Sequence, residues 1–389
     1  MLLDFGAQPL CNRYVVDPDE KEFRHPLVLG QCQMCGLIQL TNSVPSEEIA
    51  PRFEWLKYNE PERHLDDLAD VLCSLGGLPE DPVVCGITYK DDSLLGRLSK
   101  KRFNNVWRID PEIDLGITIR GVAGETVIPK LTPQSVKDLA DKKGRVNLIV
   151  ARHVLEHAPD TQKFLESIKY LLEPGGYIVF EVPDCSIQLE ACDYCMLWEE
   201  HILYFVPPTL KSIFKYTTFS LFNYQEYSYP VENALIAIVR RADEDSDPVD
   251  IDISIPQQLA VGKAYAEEFV VNRSDLKKYI KSYKERVGKI AVFGAGHLSS
   301  MFVSIMGIKD YIDFIVDDDP QKQTLYMPGS NLPIKGSNSL IEENINLCLL
   351  SLSPESELKV IGRNKNFVES GGVFASIFPN RRNSIQVDL

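Results

Sequence analysis

No apolar run in the 389-residue chain approaches the roughly 20 residues that a membrane-spanning helix needs. Met1-Leu-Leu-Asp-Phe-Gly has no basic stretch followed by a long apolar one, so no secretory signal is expected. Positive charge is scarce: 41 Lys and Arg face 56 Asp and Glu, giving a formal net charge of −15 and a pI near 5.0. A general nucleic-acid binder presents a basic face, so that class is disfavoured, although a local basic pocket for a diphosphate is compatible with these numbers. Nine cysteines, an odd number in a chain without a signal, point to reduced thiols and a cytoplasmic protein. There is no fixed-period repeat of the solenoid kind. What is present is ordinary for a soluble globular protein, with 44% hydrophobic and 25% charged residues, and the length suits two or three domains.

The most informative stretch is Val150-Ala-Arg-His-Val-Leu-Glu-His157, followed by Leu172-Glu-Pro-Gly-Gly-Tyr-Ile-Val-Phe-Glu-Val-Pro183. Asn147 to Val150 and Tyr177 to Phe180 are short apolar runs of the buried-strand type. Between them, Asp160 to Leu172 carries Phe164, Ile168, Leu171 and Leu172 on one helical face, and Pro174-Gly175-Gly176 is expected to stop that helix. Upstream, Glu60 to Leu75 reads as a helix, Pro82 to Ile87 as the first sheet strand, and Asn105 to Ile109 as the second, ending at Asp110. Asn233 to Val239 is a late strand. Residues 1 to about 50 look turn-rich. Ala242 to Asp252 is acidic and reads as a linker, Gln257 to Arg286 looks helical, and strands and helices alternate again from Ile290 to the end. Ligands of such sheets sit at the carboxyl ends of the strands, which puts Arg152, His153 and His157 at the mouth of a site.

These segments resemble class I S-adenosylmethionine (SAM)-dependent methyltransferases, and more narrowly the sugar C-methyltransferases. Leu3-Asp-Phe-Gly-Ala-Gln-Pro-Leu10 with Cys32-Gln-Met-Cys35 is similar to their amino-terminal zinc-binding module, and Glu200-His201 before Tyr204-Phe205 to their catalytic Glu-His pair. Ile290-Ala-Val-Phe-Gly-Ala-Gly296, Val316 to Gln323 and Pro328 to Ile334 resemble their carboxy-terminal domain. The resemblance implies an α/β protein: a doubly wound, Rossmann-like methyltransferase domain with a small N-terminal module and a second, smaller Rossmann-like C-terminal domain. The expected limits are 1–55 for the module, 56–241 for the methyltransferase domain, 242–256 for the acidic linker and 257–389 for the C-terminal domain.

The same resemblance implies SAM as cofactor. Asp110 would accept the ribose hydroxyls, and Gly86, Tyr89, Asp91 and the Arg152-His153-Val154 turn would line the cofactor. The first turn departs from the family's acidic residue and Gly-x-x-x-Gly, because Gly86 is followed by Ile87, Thr88, Tyr89, Lys90, Asp91 and Asp92. Lys90 either brings a positive charge near the sulfonium, offset by Asp91 and Asp92, or points to solvent. Methylating carbon requires an enolate, hence a base with a pKa near neutral and a donor near the oxygen. His201 supplies the base, with Glu200 to orient the ring or raise its basicity. Tyr58 and His157 are the expected sugar-binding or proton-transfer residues, and His64 is a further candidate. Trp198 stands where the family has a tyrosine.

Cys32-x-x-Cys35 has zinc-knuckle spacing. A tetrahedral site needs four ligands, and the family's other pair lies upstream of Leu3; Cys11 and His25 are nearby alternatives, and a metal-free remnant is the competing expectation. Gly294-Ala-Gly296 after a strand, with Asp317 about twenty residues on, nearly matches a dinucleotide fingerprint, whereas the family uses this domain to enclose substrate without a nicotinamide. The reading is therefore SAM-dependent C-methylation of a nucleotide-diphosphate keto-sugar by a monomer or homodimer with no nucleic-acid or membrane partner. The alternatives are a methyltransferase acting on another small acceptor, a non-catalytic relative that binds sugar nucleotides, and an NAD-dependent oxidoreductase.

Overall fold

The computed structural model describes residues 1–53, 60–118, 122, 124–241, 254–379 and 381–385. Among these residues, three sheets organise the chain. The first begins with β1 (Leu3–Pro9), β2 (Arg24–Gln31) and β3 (Ile38–Leu40), an antiparallel ladder where the sequence pattern pointed to turns. The strands escaped notice because they bury only a few positions each: in β2 the carbon side chains of Leu27 and Leu29 point in while Val28 between them is half-exposed.

The central sheet holds β4 (Val83–Gly86), β5 (Asn105–Arg108), β6 (Val146–Arg152) and β7 (Leu172–Pro183), all parallel. The two-residue β8 (Leu203–Tyr204) leaves this sheet and pairs with β3 of the first one. β9 (Phe219–Tyr227) and β10 (Ala234–Arg241) then complete the order β5-β4-β6-β7-β10-β9, with β10 antiparallel to both neighbours. Alternate residues of these strands go to opposite faces. Val84, Leu148, Val150 and Val179 pack under the helices Leu65–Cys73 and Asp92–Ser99. Cys85, Ile149, Ala151, Ile178 and Phe180 pack under Pro133–Lys143 and Thr161–Ile168. Burial on both faces is what made β6 and β7 read as unbroken apolar runs. Strand order reverses at β4, whose neighbours β5 and β6 lie on either side, so the ligand crevice belongs beyond the ends of β4 and β6.

Three expected boundaries move. The helix before β7 ends at Ile168 and a single tight turn, Lys169–Leu171, so Pro174-Gly175-Gly176 does not stop it but lies inside β7. There the register slips, Val146 facing Leu172 and Leu148 facing Tyr177, and Gly175 takes φ +73° to absorb the extra residues. The helix expected from Glu60 starts only at Leu65; just before it, the His64 N–H and ring Nδ1 both meet the Tyr229 hydroxyl, at 3.1 and 2.7 Å. The linker stretch 242–253 lies outside the described residues, and the long helix begins within the expected linker, at Ile255, and runs to Arg286. It buries Tyr265 and Phe269 against Tyr194, with Phe269 also meeting Phe5 edge-on at 4.8 Å.

The third sheet is wholly parallel, with β11 (Lys289–Phe293), β12 (Phe314–Val316), β13 (Ile334–Lys335), β14 (Ile345–Leu350) and β15 (Val373–Ser376) in the order β13-β12-β11-β14-β15. No helix among the described residues is long and apolar enough to cross a membrane.

Gly86, at the end of β4, is required by close approach. A Cβ there would stand 2.7 Å from Leu95 Cδ1 and 2.9 Å from Asp91 Cβ. Gly86→Ala is therefore expected to destabilise the fold by about 1–3 kcal/mol, the usual range for overpacking a filled site. Urea unfolding checks this, and a midpoint equal to that of the unsubstituted chain would contradict it.

Candidate active site

The first turn is closed by its own side chain. Asp91 Oδ2 accepts the N–H groups of Ile87 and Thr88 at 2.7 and 2.8 Å, and Oδ1 accepts that of Arg152 at 2.8 Å. Burial pushes the Asp91 carboxyl up to about 7, against the pull of these donors. Asp91 thus pins the end of β4 to the end of β6, and the expected role in offsetting Lys90 is corrected: its oxygens are already used. Lys90 does not point to solvent either. Its ammonium pairs with Glu60, and although burial opposes the charge, that carboxylate raises the Lys90 pKa.

At the end of β6, Arg152 is 1% exposed and forks onto Glu181, Nε to Oε2 at 2.5 Å and Nη2 to Oε1 at 3.2 Å, while Nη1 donates to the Lys90 carbonyl. His153 follows in a left-handed backbone conformation, φ +49°, rare outside glycine. Its ring sits between Glu156, 3.3 Å from Nδ1, and Glu181, 3.2 Å from Nε2. Burial would lower the His153 pKa, but Glu60, Glu156 and Glu181 raise it to about 10, so it is a cation at neutral pH. Val154 is fully buried, and its expected place on the cofactor wall is corrected accordingly. Asp110 does end β5; its Oδ1 caps the following helix through the N–H groups of Glu112 and Ile113, at 3.0 and 2.9 Å. Tyr89 is half-buried, its phenol raised by burial and by Glu125, Glu60 and Glu200 around it. The Asp110 carboxylate at the strand end suits a ribose, and Glu125 near Tyr89, with Glu60 balancing Lys90, leaves room for a sulfonium cation, so the residues present fit SAM.

Beside this crevice opens a cleft of about 320 Å³ between the central and third sheets. Glu60 and His153 line one wall, Trp198 and His201 the next, and His297 and Arg381 the side of the third sheet. Trp198 stacks flat on His297, centroids 4.5 Å apart and planes 8° apart. His201 meets the Trp198 ring at 4.9 Å and stands edge-on to His157 at 4.9 Å. His157 in turn donates from Nδ1 to the Glu200 carbonyl at 2.8 Å. Burial and the neighbouring His157, Lys90 and His297 hold His201 well below the usual histidine pKa, so its imidazole is neutral.

The structure thus brings His153, His157 and His201 together. Tyr58 falls outside the described residues. Glu200 differs from expectation: its side chain accepts from Asn12 Nδ2 at 2.6 Å, and burial with Glu125 and Glu199 raises its pKa well above the ordinary value. It supports His157 through its backbone carbonyl, while its carboxylate turns to Asn12. The next residue back, Glu199, accepts the Cys11 N–H at 2.5 Å. The N-terminal module therefore grips the loop around Glu199 and Glu200 at both carboxylates, which no spacing in the sequence revealed. Glu156, Glu181 and His297 were also missed, although the first two sit inside the quoted motifs.

Cys32 and Cys35 are free thiols and offer two of the four ligands that a zinc site needs. The Cys11 thiol is buried and hydrogen-bonded with Glu199 and Ser300. The described residues do not complete this site. In the third sheet, Asp317 Oδ2 accepts from Ala295 N at 3.0 Å and from Lys322 Nζ at 2.9 Å. The acidic residue of the dinucleotide-like pattern is thereby spent on the glycine turn itself, which removes the carboxylate an NAD ribose would need.

Three family models match in succession: "Putative zinc binding domain" over residues 1–49, "Methyltransferase domain" over 67–222 and "C-methyltransferase C-terminal domain" over 256–379. The C-methyltransferase NovU of Streptomyces niveus is 23% identical over 399 aligned positions, covering 98% of this chain and 93% of that protein. Among solved structures, 1,6-didemethyltoxoflavin-N1-methyltransferase of Burkholderia thailandensis, with S-adenosylhomocysteine bound, aligns at 15% identity and TM-score 0.31, over 46% of this chain and 78% of its own. Magnesium protoporphyrin IX methyltransferase of Synechocystis PCC 6803 aligns at 13% identity and TM-score 0.33, over 49% and 91%. With all three modules matched in order along its length, the chain is a SAM-dependent methyltransferase built like the C-methyltransferases.

Proposed function

We propose that the protein methylates a carbon next to the carbonyl of a nucleotide-diphosphate keto-sugar, with His201 as the base. The observation that carries this reading is the neutral His201 imidazole on the wall of the interdomain cleft. A neutral ring has a lone pair to accept the proton α to a ketone. The depressed pKa keeps the ring unprotonated at the cost of basicity, so proton removal leans on stabilisation of the enolate that forms. The His153 cation, held between Glu156 and Glu181, also lines the cleft and adds positive charge beside the oxyanion that develops as the proton leaves. Arg381 brings a guanidinium to the outer part of the cleft, a natural partner for a diphosphate. Tyr89 and Asp110 would hold SAM, which supplies the electrophilic methyl group. The setting is a cytoplasmic monomer or homodimer.

Incubating the enzyme with carbon-13 methyl SAM and a panel of nucleotide-diphosphate keto-sugars tests the reading. A carbon-bound methyl resonance is expected. An oxygen-bound methyl, or turnover with no keto-sugar but with another small acceptor, would favour the second reading, for which Trp198 in place of tyrosine speaks. Asp110→Ala is expected to weaken SAM binding about 10- to 100-fold by calorimetry, the range for losing a charged hydrogen-bond acceptor. Unchanged affinity in a folded variant would remove Asp110 from the cofactor site.

A further inference from the structure

Behind the wall of the cleft, Glu156, His157 and His201 converge. One ligand atom from each lies within 4.8 Å of the others. Glu156 is fully buried, yet neither carboxylate oxygen has a hydrogen-bond partner among the described residues. The His153 cation pairs with it from one side, Nδ1 3.3 Å from Oε1, which leaves Oε2 without a donor among the described residues. A buried carboxylate oxygen without a donor of its own is costly, and a metal ion is one group that satisfies it.

The two histidines are set up to meet such an ion. The Glu200 carbonyl can only accept, so His157 Nδ1 must carry the hydrogen of their 2.8 Å bond, and Nε2 keeps the lone pair. Metal-binding histidines show this same arrangement, in which the second nitrogen donates to a backbone carbonyl and fixes the ring. Gly124 leaves room for the ring: a Cβ there would stand only 3.2 Å from His157 Cδ2. His201 belongs to the cleft wall, so positions not filled by protein face the space where the acceptor is proposed to lie.

We propose that Glu156, His157 and His201 form a binding site for a divalent transition-metal ion of the zinc or cobalt class, open to the cleft. Two imidazoles and one carboxylate suit such ions better than calcium or magnesium, which prefer oxygen ligands. The proposal rests on the preceding reading in one respect. A metal on His201 takes the lone pair that would accept the proton, so metal binding and base action exclude each other and the ion switches the enzyme off.

The test uses the full chain, stripped with a chelator and titrated with Co²⁺ alone, in a Cys32→Ser, Cys35→Ser background that removes the thiol pair. One equivalent is expected to bind, with visible bands of a nitrogen and oxygen ligand set. Glu156→Gln and His157→Gln are each expected to weaken binding at least about tenfold, the order seen when a site's supporting groups are lost. X-ray absorption of the Co²⁺-loaded chain with its cysteines intact, showing a nitrogen and oxygen shell, would establish the site without relying on those variants. No Co²⁺ binding, or binding unchanged in both variants, overturns the site and leaves the base role of His201 as it was. Zn²⁺ is expected to suppress methyl transfer by the unsubstituted enzyme. Turnover that rises with Zn²⁺ overturns the switch and the His201 base, while the Co²⁺ result still decides the site.

Discussion

His201→Asn is expected to lower the rate of methyl transfer by about 10²- to 10⁴-fold, the usual contribution of a positioned base, while SAM affinity stays close to that of the unsubstituted enzyme. The separation follows from position. His201 lines the cleft between the central and third sheets, whereas the residues that fit SAM, Tyr89 and Asp110, stand at the ends of β4 and β5. Asparagine is close in size and polar, so the stacked Trp198 and His297 keep a neighbour. Single-turnover kinetics paired with calorimetry make the measurement. Equal losses in rate and in SAM affinity would mean that the substitution had collapsed the site. Full turnover in the variant would remove His201 as the base.

Glu181→Ala is expected to destabilise the enzyme by about 3–5 kcal/mol, as happens when one partner is taken from a buried ion pair. Glu181 is 1% exposed and answers two cations at once, the Arg152 guanidinium and the His153 ring, with His64 Nε2 a further 3.3 Å away. Without it both cations lie buried short of a counter-charge. The pH dependence gives a second readout. Burial alone would raise the Glu181 pKa, but the hydrogen bonds of His153 and His64 and the charges of His153 and Arg152 hold it well below the ordinary value. A depressed carboxylate stabilises the fold above its unfolded pKa of about 4.3, and that stability is lost as pH falls through the folded value. His153 runs the other way: raised to about 10, it stabilises fully below its unfolded pKa and loses this as pH climbs through the folded one. Denaturant titrations should therefore show stability falling at both ends of the pH range. In Glu181→Ala the acid limb should flatten. An acid limb unchanged in the variant would sink this account of Glu181.

The strands of the central sheet were legible because β6 and β7 are buried on both faces and so spell continuous apolar runs. His153, His157 and His201 were legible as residue types whose chemistry suits the reaction, following or preceding recognisable strands. What could not be read was direction. Glu200 and His201 are neighbours in sequence, but one faces Asn12 and the other the cleft. Asp91 looked like a charge available to the cofactor, yet its oxygens hold three backbone N–H groups. Gly294, Gly296 and Asp317 have the spacing of a dinucleotide site, but a hydrogen bond from Ala295 N turns the carboxylate back on its own turn. Each of these outcomes depends on partners far away in sequence, which a local pattern does not encode.

The grip of the N-terminal module on the loop around Glu199 and Glu200 also sets an order of events for the growing chain. Cys11 and Glu199 meet across 188 residues of sequence, and β3 finds its second neighbour only in β8. Until Leu203 and Tyr204 leave the ribosome, one edge of the first sheet stays unpaired, and open strand edges invite wrong partners. Contacts of such separation form late, because long loops must close before they bring any gain. The cleft is thus among the later parts to be completed, and the first sheet waits for it.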